Sequence, residues 1–425
     1  MPKKPYSRSK ILLFLEFIML KQLILENWKS FRYAELPLDQ LTVLIGTNAS
    51  GKSNVVEAFE FLQRIARGEN IEAALAGNKT LTSIRGGVEW AALKPETEFT
   101  LKALVEGNDE NTDYLYSITV QTKPIVQILE ETIITQIYQD KNHEITTQKS
   151  IISDSSISVK YPHKKRSISN IKGIQGESML SKISKFELND KTFEDINLIT
   201  DVFDNILVLN PITFEMRGYS PLSDNLERNA SNIAGVLAAL DGEQKTEVES
   251  TLSAYIKDFP EGDIKKVFAE PVGRLKTDAM LYCEEEWKPG EIILIDAKTM
   301  SDGTLRFIAI LTALLTRPEG SQLVIEEIDN GLHPSRAELL VRILREIGSK
   351  RKIDILLTTH NPALLDALGP EIVPFVVVAH RDSETGESKL TLLEDIDNFS
   401  KLFASYSLGD MTTKGAIERS LSRNE

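Results

Sequence analysis

The sequence predicts an α/β fold in which a mixed β-sheet is flanked by helices and carries an inserted α+β or helical subdomain. A short apolar run at 41–45 leads through a glycine-containing loop into a helical pattern at 54–67. Apolar strands and helices alternate again from residue 291 onward, and the stretch between these two regions is more polar and more weakly patterned. Such strand–helix alternation is typical of sheets whose central strands run parallel.

The first elements follow from the spacing of apolar residues. The runs 20–25 and 41–45 are predicted strands, and 54–67 is a predicted helix because its apolar residues recur at helical spacing. Two alternating segments, 99–105 and 114–120, flank a Gly-Asn-Asp turn and predict a hairpin.

The remaining elements are weaker up to residue 290 and clearer beyond it. The region 140–190 is polar, and we expect either a flexible insertion or a small subdomain there. Residues 232–255 are predicted to be helical. The C-terminal region is predicted to hold helices at 305–315, 336–347 and 398–421 and strands at 322–325, 354–358 and 375–379.

The composition resembles that of ordinary soluble globular proteins, with 41% hydrophobic and 26% charged residues among 425. A formal net charge of −14 argues against general binding to nucleic acid or anionic membranes. The single cysteine, Cys283, excludes an intrachain disulfide, and the five histidines show no zinc-binding spacing. We therefore expect a cytoplasmic protein.

The N-terminus superficially resembles a signal peptide, because basic residues precede an apolar run at 11–20. Glu16 interrupts that run, no small-residue cleavage site follows it, and it is too short to cross a bilayer as a helix. We expect either that Met19 is the natural start or that residues 1–18 are a non-essential extension. No other segment is apolar over a length that spans a membrane, so no membrane partner is expected.

The pattern Gly-x-x-x-x-Gly-Lys-Ser occurs once, at 46–53, between a predicted buried strand and a predicted helix. In this context such a loop wraps its backbone N–H groups around phosphates at the positive end of the helix. Gly46 and Gly51 permit the backbone conformations required, Lys52 addresses the β- and γ-phosphates, and Ser53 offers a hydroxyl to Mg²⁺. A glycine turn with a surface lysine is the simpler alternative. The other residues expected to bind phosphate are Thr47, Asn48, Ala49, Ser50 and Asn54.

Two adjacent carboxylates end the predicted strand 322–325. Mg²⁺ prefers hard oxygen ligands, and hydrolysis of a phosphoanhydride needs a group that orients the attacking water. We assign Glu326 to the Mg²⁺ sphere, usually through water, and Glu327 to the attacking water. Two solvated glutamates at a strand end are the alternative.

Further motifs occur in a fixed order along the chain. They are Asn27–Phe31 after the first strand, Ser301-Asp302-Gly303-Thr304 before a helix, Ile328–Pro334 after the carboxylates, and Thr358–Pro362 at the end of the next strand. Together with the phosphate loop, this set resembles the ABC-type ATPases of the RecF, structural-maintenance-of-chromosomes and OLD (overcoming lysogenization defect) group, including stand-alone prokaryotic AAA-family, RecF-like ATPases. The resemblance covers roughly residues 19–90 and 290–420 and implies a P-loop NTPase fold of the ABC-ATPase head type.

The resemblance implies a role for each matching residue. Ser301, Asp302 and Gly303 match a signature motif that addresses the γ-phosphate of a nucleotide held by another protomer, although a simple helix cap is the alternative and both can hold. His360 matches a switch histidine that contacts the γ-phosphate and the attacking water. Catalysis is thus assigned to Glu327, His360 and Lys52, with ATP and Mg²⁺ as cofactors.

The chain departs from the family pattern in three places. Glu326 stands where aspartate is usual, and Ala49 stands where glycine is frequent. The glutamine of the Q-loop cannot be placed; Arg85 lies in that region and is a candidate contact to the nucleotide or its partner. About sixty residues follow Pro362, too few for a Toprim-type nuclease domain.

We therefore expect an N-terminal lobe of the head at 19–135, an inserted subdomain at 136–290 and a C-terminal lobe at 291–425. The leading hypothesis is an ATP-hydrolysing homodimer, or a higher homo-oligomer, in which two heads sandwich two ATP molecules and control a partner. The resemblance implies a role in DNA transactions or antiphage defence, beside a separately encoded nuclease effector. An ATPase subunit of a transporter and a non-hydrolysing ATP sensor or scaffold are the alternatives. Contact with DNA is left open, since the basic run 163–166 fits either phosphate contact or a solvated loop.

Overall fold

The computed structural model describes residues 18–109, 111–139, 144–153, 156–161, 164–172, 176–183 and 191–421. Nearly all of the expected N-terminal extension, and His163 of the basic run, lie outside the described residues. Among the residues that are described, no helix is long and apolar enough to cross a membrane.

The strands are numbered in chain order. They are β1 (Leu20–Trp28), β2 (Phe31–Pro37), β3 (Leu41–Ile45), β4 (Glu98–Glu106), β5 (Thr112–Gln121), β6 (Gln127–Gln139), β7 (Glu144–Ser153), β8 (Ser156–Tyr161), β9 (Lys164–Lys172), β10 (Ile206–Leu209), β11 (Ser220–Pro221), β12 (Ile264–Val272), β13 (Asp278–Lys288), β14 (Glu291–Asp296), β15 (Gln322–Ile325), β16 (Asp354–Thr358), β17 (Val376–Arg381) and β18 (Ser388–Leu392).

The helices are numbered in the same way. They are α1 (Lys52–Ala66), α2 (Ile71–Ala76), α3 (Met179–Ile183), α4 (Lys191–Asp204), α5 (Ile233–Ala239), α6 (Gly242–Lys257), α7 (Asp302–Thr316), α8 (Ala337–Arg351), α9 (Pro362–Leu368), α10 (Phe399–Ser405), α11 (Leu408–Thr413) and α12 (Ala416–Leu421).

A six-stranded sheet forms the centre of the molecule, in the order β10-β15-β16-β3-β17-β18. Its first five strands run parallel and β18 runs antiparallel, so the predicted mixed α/β sheet is confirmed. The central strands are short and apolar because both faces are covered, as is typical of parallel sheets. The carboxyl ends of β3, β15 and β16 therefore meet at one edge, where the phosphate loop, the paired carboxylates and the loop that contains His360 begin.

An eight-stranded antiparallel sheet, in the order β2-β1-β4-β5-β6-β7-β8-β9, lies on the other side of α1. The predicted hairpin is confirmed as β4 and β5, with Leu101 opposite Ile118. The weakly patterned region after residue 140 extends this sheet, because its alternating isoleucine, serine and threonine residues suit strands. The expected division after residue 135 falls inside β6.

Helix α1 is enclosed between these two sheets. Every residue from Val55 to Ala66 is buried, and Phe61 contacts both Trp28 of β1 and Phe99 of β4, with ring centroids 6.0 and 5.7 Å apart. A helix that is buried on all faces is fixed by its surroundings on every side. The helix that starts at the phosphate loop is thus a rigid part of the core.

A smaller antiparallel sheet joins β11, β13 and β12, and β14 extends it by pairing with β13. Its inner face shares a core with α5, α6 and α7. The expected division after residue 290 falls in the turn between β13 and β14. The segment from 297 to 301 then leads from this small sheet directly into α7.

Candidate nucleotide-binding site

The phosphate loop adopts a conformation that depends on its glycines. Gly46 and Gly51 have φ values of 143° and 114°, and Ala49 has a φ of 63°. A Cβ atom at Gly46 would lie 2.1 Å from the carbonyl oxygen of Ala379, and one at Gly51 would lie 2.8 Å from Phe31 Cζ. Both the positive φ and the lack of space exclude a larger residue there.

The start of α1 suits an anion. No side chain caps this end of the helix and no acidic residue occupies its first turn, so its first N–H groups remain available. The ammonium of Lys52 donates to the carbonyl oxygens of Gly46 and Thr47, at 2.6 and 2.9 Å. Burial lowers the pKa of Lys52, although Glu327 and Asp329 act to raise it. The loop, its lysine and the helix start thus fit the phosphates of a nucleotide.

The motif Asn27–Phe31 is tied to the first turn of α1. The side-chain amide of Asn54 donates to Ser30 Oγ at 2.7 Å, and the indole N–H of Trp28 donates to the carbonyl oxygen of Asn54 at 2.7 Å. Ser388 Oγ at the start of β18 also donates to Ser30 Oγ, at 2.7 Å. The turn between β1 and β2 thereby holds the phosphate loop from outside.

A cavity of about 530 Å³ opens beside Asn54. It is lined by Lys29, Arg85, Trp90 and Arg381, among others. The Trp90 side chain is 58% exposed, with Lys94 Nζ 5.2 Å from its ring centroid. The cavity therefore combines positive charge with an exposed aromatic face next to the phosphate loop.

The two carboxylates at the end of β15 have different environments. Glu326 is 6% exposed, and one of its oxygens accepts from Arg85 Nη2 at 3.1 Å. Its other oxygen accepts from Arg228 Nη2 and from the amide of Asn210, each at 3.2 Å. Glu327 is exposed instead, and its φ of 49° turns the chain at the strand end. The division of roles predicted for the pair remains a prediction, but the pair divides clearly into one buried and one exposed carboxylate.

Buried ion pairs connect α1 to Glu326. Glu57 lies between Lys29 Nζ and Arg85 Nε, each at 2.6 Å, and Arg85 continues to Glu326. Burial lowers the pKa of Lys29, while Glu57 acts to raise it. On the other side, Glu60 pairs with Arg228, which also continues to Glu326.

Sequence reasoning missed most of these partners. Arg85 was a candidate contact to the nucleotide; the structure places it between two carboxylates. Glu57, Glu60 and Arg64 recur at helical spacing inside an otherwise buried helix, and this is the signal that finds them. Asn210 and Arg228 carry no comparable pattern, because they reach Glu326 only through the fold.

The loop after β16 displays His360 at the same edge of the sheet. The backbone N–H of Thr359 donates to the carbonyl oxygen of Leu44 at 3.3 Å, one residue before the end of β3. Thr359 Oγ1 donates to Asp329, which is buried, and accepts from the N–H of Asn361 at 3.0 Å. His360 itself is exposed, so its ring faces the open side of this edge.

The signature motif starts α7. Ser301 Oγ accepts from the N–H of Thr304 at 3.1 Å, as a helix cap does. Ser301 and Asp302 are exposed, whereas Gly303 is buried and a Cβ there would lie 2.8 Å from the carbonyl oxygen of Gly331. The signature turn therefore packs against the loop that follows the paired carboxylates.

A strand, phosphate loop and enclosed helix beside a carboxylate-tipped strand define the class of P-loop ATPase heads. Residues 41–366 match the family described as "AAA domain, putative AbiEii toxin, Type IV TA system". The matched range covers most of the chain and includes all the predicted site residues. The chain belongs to this family. No curated protein matches the chain significantly.

Solved structures support the same fold. An Smc head bound to the C-winged helix domain of ScpA is 13% identical, with a TM-score of 0.50 over 88% of this chain and 97% of that one. The Smc head from Pyrococcus furiosus is 12% identical, with a TM-score of 0.47 over 91% and 100%. The Thermotoga maritima head is 15% identical, with a TM-score of 0.42 over 88% and 98%. At these identities the likeness concerns the fold alone.

Proposed function

We propose that the protein binds and hydrolyses ATP as an ABC-type ATPase, and that it works as a nucleotide-gated homodimer controlling a partner. The observation that carries this proposal is the meeting of Lys52, Glu327 and the loop of His360 at one edge of the sheet. One position there can be reached by a cation for phosphate, a carboxylate for water and a histidine for the γ-phosphate.

The phosphates are held by the N–H groups of residues 46–53 and by Lys52, which exchanges its loop carbonyls for phosphate oxygens. Mg²⁺, when bound, offsets the charge of the β- and γ-phosphates. Ser53 would hold it directly, and Glu326 would act through water, because both oxygens of Glu326 already accept from arginine or asparagine. Glu327 orients the attacking water and accepts its proton, and His360 contacts the γ-phosphate.

The exposed signature motif supports a dimer. Within the described part of the chain, no hydrogen bond or ion pair joins residues 301–303 to residues 46–53. In the proposed dimer, Ser301 of one copy faces Lys52 of the other, so that each nucleotide is shared between two chains. The adenosine would lie in the cavity beside Asn54.

The nature of the partner rests on kinship. The family description names a putative toxin of a toxin–antitoxin system, which favours antiphage defence over transport. A DNA transaction with a separately encoded nuclease effector is consistent with the same ATP cycle.

Glu327→Gln tests the proposal. We expect it to abolish ATP turnover and to give a dimer in the presence of ATP and Mg²⁺, measured by phosphate release and by light scattering after size exclusion. Glu319→Gln, an exposed site before the other end of β15, is the matched control and should behave like the parent protein. Unchanged turnover in Glu327→Gln would exclude the assigned role, and a strictly monomeric ATP-bound variant would exclude the dimer.

A further inference from the structure

Arg217 holds the turn that leads into the signature motif. Its Nη1 donates to the carbonyl oxygens of Ala297, Lys298 and Met300, at 3.1, 2.9 and 2.7 Å. Its Nη2 donates to Asp302 Oδ1 at 2.6 Å. One guanidinium therefore contacts four positions across the six residues that end at Asp302.

These contacts fix the backbone on both sides of Ser301. The three carbonyl oxygens precede the helix and accept hydrogen bonds from one planar group, so the turn has one preferred shape. The bond from Arg217 is the first cause that lowers the pKa of Asp302, followed by the bond from Thr213. Because Ser301 lies between the held carbonyls and the held carboxylate, the direction of its hydroxyl depends on this clamp.

Arg217 is itself held in place. Met216, its neighbour, is fully buried, and the segment starts at Asn210, whose amide donates to Glu326. The N–H of Asn210 donates to the carbonyl oxygen of Arg228, which is a second partner of Glu326. The segment 210–217 thus runs from the buried carboxylate of the chain's own site to the signature turn.

We propose that Arg217 is a positioning residue that shapes the signature motif for the nucleotide bound by a second copy of the chain. The proposal rests on the dimer proposed above. Arg217 touches no residue of its own phosphate loop, so its loss weakens the closing of the dimer and leaves the first binding of ATP unchanged.

The experiment uses the full chain with Glu327→Gln as the parent, so that ATP persists. Arg217→Ala is expected to raise the dissociation constant of the ATP-bound dimer at least tenfold, measured by analytical ultracentrifugation. The affinity for a fluorescent ATP analogue, measured at protein concentrations below that constant, should stay within twofold. Arg217→Lys keeps the charge without the planar fork and should fall between parent and alanine variant.

Arg67→Ala is the matched control, because Arg67 also bonds a carboxylate and a carbonyl, both of Asp204, at the far end of α1. It should dimerise like the parent. If Arg217→Ala dimerises within twofold of the parent, or loses ATP-analogue affinity as much as dimerisation, the proposal is wrong. If Arg217→Ala does not fold, Arg217→Lys and Asp302→Asn provide the same comparison, and each must weaken dimerisation. A parent that stays monomeric with ATP would instead overturn the dimer itself.

Discussion

The backbone N–H of Glu327 donates to the side-chain hydroxyl of Thr358 at 2.8 Å, which joins the ends of two neighbouring strands. Glu327 has a left-handed φ of 49°, a conformation that costs a non-glycine residue about 1 kcal/mol or more. The carbonyl oxygen of Glu327 also accepts from the N–H of Asn330, at 2.9 Å. These bonds hold the strained turn that separates the exposed carboxylate from the buried one.

Thr358→Val removes this bond without a change of volume. We expect it to lower the free energy of unfolding by about 1–3 kcal/mol, because the N–H of Glu327 loses its partner. ATP turnover should fall further than stability explains. Thr312→Val is the control, since the Thr312 hydroxyl is buried in α7 with no hydrogen-bond partner and its loss should be neutral or stabilising. Equal effects of the two variants in urea unfolding would contradict the assignment.

Gly46→Ala places a Cβ atom where Ala379 O leaves no space. We expect the free energy of unfolding to fall by roughly 2 kcal/mol or more and ATP binding to be lost, because the loop must shift. Gly242→Ala is the matched control, as a Cβ at Gly242 meets nothing within 4 Å. Calorimetric titration with ATP distinguishes the two, and normal binding by Gly46→Ala would show that the loop tolerates the change.

Glu57→Gln breaks the ion pairs with Lys29 and Arg85 inside the core. We expect a loss of about 3 kcal/mol in the free energy of unfolding, since removing one partner leaves buried charge uncompensated. Affinity for ATP with Mg²⁺ should also weaken, because Arg85 no longer has a fixed position beside Glu326. Glu35→Gln, an exposed position on β2, should leave both quantities near the parent values. A Glu57 variant as stable as the parent would show that these ion pairs contribute little.

Asp354 gives the protein a pH dependence. Burial, with Asp39 and Glu106, raises the pKa of Asp354 to about 7. The folded state therefore binds more protons than the unfolded state between about pH 4 and 7, so this group lowers stability as pH rises through that window. Asp354→Asn should be more stable than the parent at pH 8 and should show a flatter profile in urea unfolding from pH 5 to 8. Asp397→Asn, an exposed control, should follow the parent profile; a shared profile for all three proteins would exclude the effect.

The strands and helices near the site could be predicted from local pattern. The strands 322–325 and 354–358 agree with the structure to the residue, because short apolar runs with polar ends suit a covered parallel sheet. The phosphate loop was predictable for a similar reason, since its function needs glycines at fixed spacing. The clamp by Arg217 was not predictable, because it joins residues 80 or more positions apart that share no pattern. The long antiparallel sheet was underestimated, since polar strands at its far end lack a buried face in the sequence.

The enclosed position of α1 has a mechanical consequence. The turn that holds Asn54 belongs to β1 and β2, and these strands are the first rungs of a hydrogen-bonded ladder that continues to β9. At about 4.8 Å per strand, this ladder spans roughly 34 Å. A tilt of about 5° at the helix would therefore move the far rung by roughly 3 Å over that span. The molecule thus contains a lever, with its pivot at the phosphate loop and its free arm at β9.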